Sequence, residues 1–264
     1  MSILLSLYTK DGIVFAADRN LTLSEAGVQV VVEGYMTKVL MWPNHRAIVG
    51  FVGLAELEHL EMDEWLRIFI AETRNFTTLT DVANLLIQRL NEAYSRLHVP
   101  TPKPPLIIHL GGFEAISNVQ TPMLHVVTNV PGLTDEGGYQ PTREQFEASE
   151  QVRPQFESWP SPNKYPKEVR QRFAEMEERD HFLWFNNGDK YAAFNVLKGA
   201  LYAALAYVHH NLESSAPTTR SLFDWQAYAK IAVELHGLYY RHTLPGDQRY
   251  VGGGVDMCSI PWPE

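Results

Sequence analysis

Ser2 carries a hydroxyl, Asp18 a carboxylate and Lys38 an ammonium, and Gly50-Phe51-Val52-Gly53 offers backbone approached closely between two glycines. A hydroxyl can attack a carbonyl when a base takes its proton, a nearby cation lowers the cost of forming the alkoxide, and backbone N–H groups receive the developing oxyanion. Each group alone has an ordinary role. An aspartate at a strand end caps a turn, a lone lysine is a solvated charge, and two glycines suit a tight turn. Their spacing adds something that none of them carries singly. Apolar runs at 2–8 and 13–17 flank Lys10-Asp11-Gly12, a hairpin signal, and runs at 36–42 and 46–51 flank Pro43-Asn44-His45, a second one. Opposed residues in an antiparallel hairpin share a constant index sum. A turn near Asp11 makes that sum about 21 to 23 and brings Ser2 opposite the chain just past Asp18. A turn near Asn44 gives about 88 and sets Lys38 opposite Gly50. The two hairpins therefore predict hydroxyl, carboxylate, ammonium and open backbone along one edge.

The rest of the chain has to hold that edge. Helical periodicity is expected from Leu54 to Thr73, and again along Val82, Leu85, Leu86, Leu90, Tyr94 and Leu97, ending at the prolines 100, 102, 104 and 105. Strands are expected at Leu106 to Glu114 and Met123 to Val130, then at Phe182 to Phe185 and Tyr250 to Ile260. A helical stripe runs from Tyr191 to Val208, and a last helix spans about 222 to 243. Residues 131 to 180 are polar and proline-rich and read as an insert in a single domain spanning 1–264, with one exposed helix at Lys167 to Arg179. Helix pairs separated by strands predict an α+β fold, a four-layer αββα sandwich of two antiparallel sheets between helix pairs.

Composition narrows the function. Thirty-one acidic against 22 basic residues, with no Lys/Arg-rich run, give no footprint for a nucleic acid backbone. The single Cys258 offers no internal disulfide, and no His/Cys cluster suggests a metal or other cofactor. The start is too short in apolar residues for a secretory segment, and no stretch is long enough for a membrane span. A cytoplasmic protein is expected. His209-His210 reads as a solvated helix end, Asp256 and Cys258 as core or turn residues of the last strand, and the Asn20-Leu21-Thr22 triplet as carrying no function.

Taken in order, Ser2-Ile3-Leu4-Leu5-Ser6-Leu7, Asp11-Gly12-Ile13-Val14-Phe15-Ala16-Ala17-Asp18, Thr37-Lys38-Val39 and Gly50-Phe51-Val52-Gly53-Leu54-Ala55-Glu56 resemble the opening of proteasome β-type subunits. The bacterial peptidase that partners an ATP-driven unfoldase is especially similar. The likeness continues through Leu106 to Glu114, Leu124 to Val127, Asn187-Gly188 and Tyr250 to Met257, so it covers nearly the whole chain. It implies an N-terminal-nucleophile hydrolase of peptide or amide bonds, homo-oligomeric, with an ATP-dependent unfoldase as a possible partner and without a cofactor. Once Met1 is removed, Ser2 would be the nucleophile and its α-amine the base. Lys38 would supply positive charge, Asp18 would hold Lys38, and the amides of Phe51, Val52 and Gly53 would receive the oxyanion. The sequence departs from the family where Ser2 replaces threonine, where Asn187 stands for an accessory serine, and where Gln248 and Val251 stand for an accessory aspartate and serine. Asp247 lies one residue from the aspartate position. Those departures favour one alternative, a catalytically silent ring or binding protein; a second is an acylase or transferase of one small amide, for which the insert at 131–180 would narrow the site.

Overall fold

The computed structural model describes residues 2–9, 11–25, 28–32, 34–43, 47–97, 104–116, 119–129, 147–150, 182–188, 221–243 and 251–263. The first hairpin joins β1 (Ile3–Thr9) to β2 (Gly12–Asp18), with Leu4 opposite Ala17, inside the range of sums expected from the turn. The Thr9 hydroxyl shapes that turn by accepting from the Asp11 and Gly12 amides. Gly12 has φ +146, and a Cβ there would lie 2.2 Å from the Ile260 carbonyl oxygen, so no other residue fits without moving the last strand.

Two short hairpins follow in the chain or lie beside it: β3 (Leu21–Glu25) with β4 (Val28–Val32), and β7 (Glu56–Leu57) with β8 (Leu60–Glu61). Between them come β5 (Val39–Met41) and β6 (Ala47–Gly53). Helices α1 (Met62–Glu72) and α2 (Leu79–Arg96) precede β9 (Leu106–Ile116), β10 (Val119–Thr128) and β11 (Glu147–Glu150), and then come β12 (Phe182–Gly188), α3 (Leu222–Thr243) and β13 (Val255–Pro261). One antiparallel sheet has the order β12-β1-β2-β13, and the other has the order β11-β10-β9-β6-β5. The protein is thus a mixed α+β structure with antiparallel sheets.

Strand alternation sorts the apolar side chains into three clusters. Ile3, Leu5, Leu7, Val14 and Ala16 pack with Trp225, Ala229 and Val233 of α3. Their neighbours Leu4, Ile13, Phe15 and Ala17 pack with Ile48, Val52, Ile107 and Leu124 of the second sheet. The other face of that sheet, through Val49, Phe51, Ile108 and Leu110, packs with Leu66 and Phe69 of α1 and with Val82, Leu86 and Leu90 of α2. The Thr78 hydroxyl caps α2 by accepting the Asp81 amide; of the expected stripe, Val82, Leu86, Leu90 and Tyr94 are buried, Leu85 is exposed, and Leu97 is half-buried one residue past the helix.

Four expectations are corrected. The helix expected from Leu54 begins only at Met62, because Glu58 and His59 adopt φ of 53 and 68 and turn the chain into the β7–β8 hairpin. The hairpin β3–β4 was not anticipated as a unit. Gly50 lies opposite Val39, one residue from the expected Lys38. Part of the insert, Glu147–Glu150, pairs with β10 as an edge strand, satisfying backbone groups that β10 would otherwise expose. The expected helices at 167–179 and 191–208 and the residues of the second hairpin turn at 44–46 lie outside the described residues.

Candidate functional site

Asp18 ends β2 and is completely buried. Its Oδ1 accepts the Ile3 amide at 2.7 Å and its Oδ2 the Asn20 amide at 3.2 Å, so the carboxylate ties the chain start to the segment leaving β2. The same Oδ1 lies 3.2 Å from the Nζ of Lys38, which is itself only 3% exposed. Lys38 sits immediately before β5 and reaches across to the first sheet. Its Nζ donates to Ser2 Oγ at 2.8 Å and to the Asn20 carbonyl at 2.5 Å. An ammonium has three hydrogens, and here it has three acceptors: Ser2, Asn20 and Asp18. Burial raises the Asp18 pKa above its ordinary value while the Lys38 charge opposes that rise. Burial likewise lowers Lys38 while Asp18 opposes the fall.

The structure therefore brings together Ser2, Asp18 and Lys38. Phe51 and Val52 are buried in β6, and Gly53 is exposed at its end. The Phe51 amide donates to the Lys38 carbonyl at 3.1 Å, so it is engaged in main-chain pairing. Amides alternate along a strand, which directs that of Val52 towards β9 and that of Gly53 to the same edge as Phe51, beyond the start of β5. Asn187 pairs through its backbone with Leu4 on β1. Met1, Asp247, Gln248 and His209-His210 lie outside the described residues. Val251 is buried against α3 and belongs to the packing there.

Three participants were missed. Asn20 is buried, supplies the carbonyl that holds Lys38, and accepts the Gly34 amide at its Oδ1. Gly252 accepts the Arg19 and Asn20 amides on its carbonyl. Asp256 accepts the Lys38 amide at 2.6 Å and pairs with Arg19 Nε at 3.3 Å. The signal for Asp256 was available: a carboxylate in an otherwise apolar strand, Val255-Asp256-Met257-Cys258, needs a partner. Asn20 and Gly252 act through backbone carbonyls that any residue type possesses.

Among the described residues no group of three or more His, Cys, Asp and Glu could hold a metal ion, and no helix is long and apolar enough to cross a membrane. No protein-family profile matches the chain, and no curated protein sequence matches it. Among solved structures it is similar to the Anbu (Gly-1) mutant from Hyphomicrobium sp. strain MC1, at 11% identity and a TM-score of 0.47, over 99% of this chain and 82% of that one.

Proposed function

We propose that the chain is an N-terminal-nucleophile hydrolase resembling proteasome β-type peptidases, in which Ser2 attacks the carbonyl of a peptide or amide bond. The observation that carries this reading is the hydrogen bond from buried Lys38 to Ser2 Oγ, with Asp18 behind it. With all three of its hydrogens donated, Lys38 acts as a cation that stabilises a developing alkoxide, and the hydroxyl proton has to go elsewhere. The α-amine of Ser2, freed by loss of Met1, takes it, since an amine of pKa about 7.7 to 8 is partly unprotonated near neutral pH. The new bond joins Oγ to the substrate carbonyl carbon, the amine returns its proton to the leaving nitrogen, and water then releases the acyl group. Gly53 is the amide best disposed to receive the oxyanion, beside the engaged amide of Phe51 and the inward amide of Val52.

The same reading includes a four-layer αββα sandwich, supported by three apolar clusters that alternate between helices and sheets. It also includes homo-oligomeric assembly, a cytoplasmic location, and an unfoldase as a candidate partner. A silent ring or binding protein is the second reading. Val251 favours it, because the residue that stands for an accessory serine is packed in the core.

Mass spectrometry of untagged protein, combined with turnover of a peptide or amide reporter by wild type and Ser2→Ala, separates the two. The hydrolase reading expects loss of Met1, turnover by wild type and none by Ser2→Ala. Fully retained methionine without turnover selects the silent reading, and turnover that survives Ser2→Ala puts the nucleophile elsewhere.

A further inference from the structure

Lys38 is held at both ends. Its ammonium lies against Asp18, and its main-chain N–H donates to Asp256 Oδ2 at 2.6 Å, a contact between residues 218 apart in sequence. Asp256 pairs across the strands with Ala17, so its side chain projects from the same face as that of Ala17, the face that packs against the second sheet. Lys38 enters from that second sheet. The contact therefore joins the two sheets at the residue whose Nζ must reach Ser2. The Arg19 Nε lies 3.3 Å from the other carboxylate oxygen of Asp256 as an ion pair without a hydrogen bond, and the Arg19 amide is held by the Gly252 carbonyl at 3.0 Å. Two carboxylates, Asp18 and Asp256, thus face two cations, Lys38 and Arg19, and the group is electrically balanced.

We propose that Asp256 is a positioning residue for Lys38: its hydrogen bond pins the main chain at the start of β5 so that the ammonium meets Ser2 Oγ, and its charge, with Arg19 beside it, completes the charge balance of the site. The proposal rests on the reading of Ser2, Lys38 and Asp18 as a hydrolytic group. Asp256 touches neither Ser2 nor a substrate, so it acts through Lys38. Loss of the carboxylate frees the Lys38 amide and leaves one cation in excess. A displacement of about 1 Å at a catalytic group costs on the order of 100-fold in rate.

The test compares Asp256→Ala and Asp256→Asn by reporter kinetics and by the pH titration of the Lys38 Cε resonance in 13C-lysine-labelled protein, assigned with Lys38→Arg. Asp256→Ala is expected to lower kcat about 100-fold with KM within about twofold. Asp256→Asn, whose side-chain oxygen still accepts the Lys38 amide, is expected to recover to within about tenfold of wild type. Both variants lose the negative charge that favours the protonated lysine, so the Lys38 midpoint and the limb of the pH–rate profile it governs move to lower pH. Wild-type kcat in Asp256→Ala overturns the proposal. So does an Asp256→Asn variant as impaired as Asp256→Ala with an unmoved Lys38 midpoint, because that pattern reports only damaged packing. If wild type turns over no reporter, the hydrolytic reading fails by itself. The Lys38 midpoint then decides: a lower value in Asp256→Asn upholds the hold on Lys38, and an unchanged one overturns it.

Discussion

Breaking the Asp18–Lys38 pair one partner at a time should cost far more than removing both. The two side chains are 0% and 3% exposed and 3.2 Å apart, so an orphaned member finds little water. Truncating one partner of a buried pair costs about 3 to 5 kcal/mol. Neutralising the orphan sets an upper limit. At pH 7 a lone Lys38 can lose its proton for about 4.6 kcal/mol, and a lone Asp18 can gain one for about 4.2 kcal/mol, from ordinary pKa values of about 10.4 and 3.9. Asp18→Asn and Lys38→Met are therefore each expected to lose about 3 to 4 kcal/mol. The double variant has no buried charge left at the pair, but it strips a donor from the buried Asn20 carbonyl, which costs about 1 to 3 kcal/mol. In urea, with a slope of about 3 kcal/mol per molar for a chain of this length, each single change lowers the midpoint by more than about 1 M.

The pH dependence supplies an independent check with a definite sign. In Asp18→Asn the folded pKa of Lys38 falls below its unfolded value, the unfolded state binds more protons, and stability should rise from pH 7 to 9. In Lys38→Met the folded pKa of Asp18 lies above its unfolded value, the folded state binds more protons, and stability should rise from pH 7 down to 5. A double variant whose loss equals the sum of the single losses, with flat pH profiles in both singles, would refute the argument. That result would mean that the two side chains do not couple and that each orphaned charge is kept as readily in the folded protein as in the unfolded one.

Burial holds His109 down to about 3 and His236 to about 4, so stability should be full above about pH 6.5 and fall towards pH 4 by up to about 2.7 kcal/mol per pH unit. His236→Leu should halve that slope in acid urea titrations, and an unchanged slope counts against this account. Gly111→Ala places a Cβ 2.4 Å from the Tyr8 hydroxyl and 2.6 Å from Phe15 Cζ, so calorimetry should record a loss of about 1 to 3 kcal/mol. A loss below about 0.5 kcal/mol would mean that these rings move aside freely. Replacing residues 131–180 with a short turn should leave a folded protein with altered assembly by light scattering, since closing a loop depends weakly on its length. An unfolded variant would show that β11 is indispensable, and unchanged assembly together with unchanged substrate range would remove the role proposed for the segment.

How much of this was readable depended on how local the determining signal is. The β1–β2 register follows from Asp11-Gly12 between two well-bounded apolar runs, and Leu4 duly faces Ala17. The second hairpin is displaced by one residue because Pro43-Asn44-His45 announces a turn without fixing its length, and one residue changes the index sum. Leu54, Leu57 and Leu60 recur at a spacing of three and imitate a helix. The turn that breaks them uses Glu58 and His59 at positive φ, where no glycine or asparagine announces it. The β3–β4 hairpin did carry a signal, Leu21 and Leu23 alternating with polar residues before Ala26-Gly27.

The site divides along a different line. The proximity of Ser2, Asp18 and Lys38 was readable because their side chains stand out in type and two hairpins suffice to bring them to one edge. The Asn20 and Gly252 carbonyls that complete the surroundings of Lys38 and Asp18 have no sequence identity, since every residue offers the same atom. Asp256 is the intermediate case. Its type stood out, but its partner lies on another sheet, and strand alternation within β13 says only which face it occupies. The position of Lys38 consequently depends on a local element, β2, and on the far end of the chain, β13. A substitution in the last strand can therefore shift Lys38 relative to Ser2 without touching any residue that the hairpins alone would implicate.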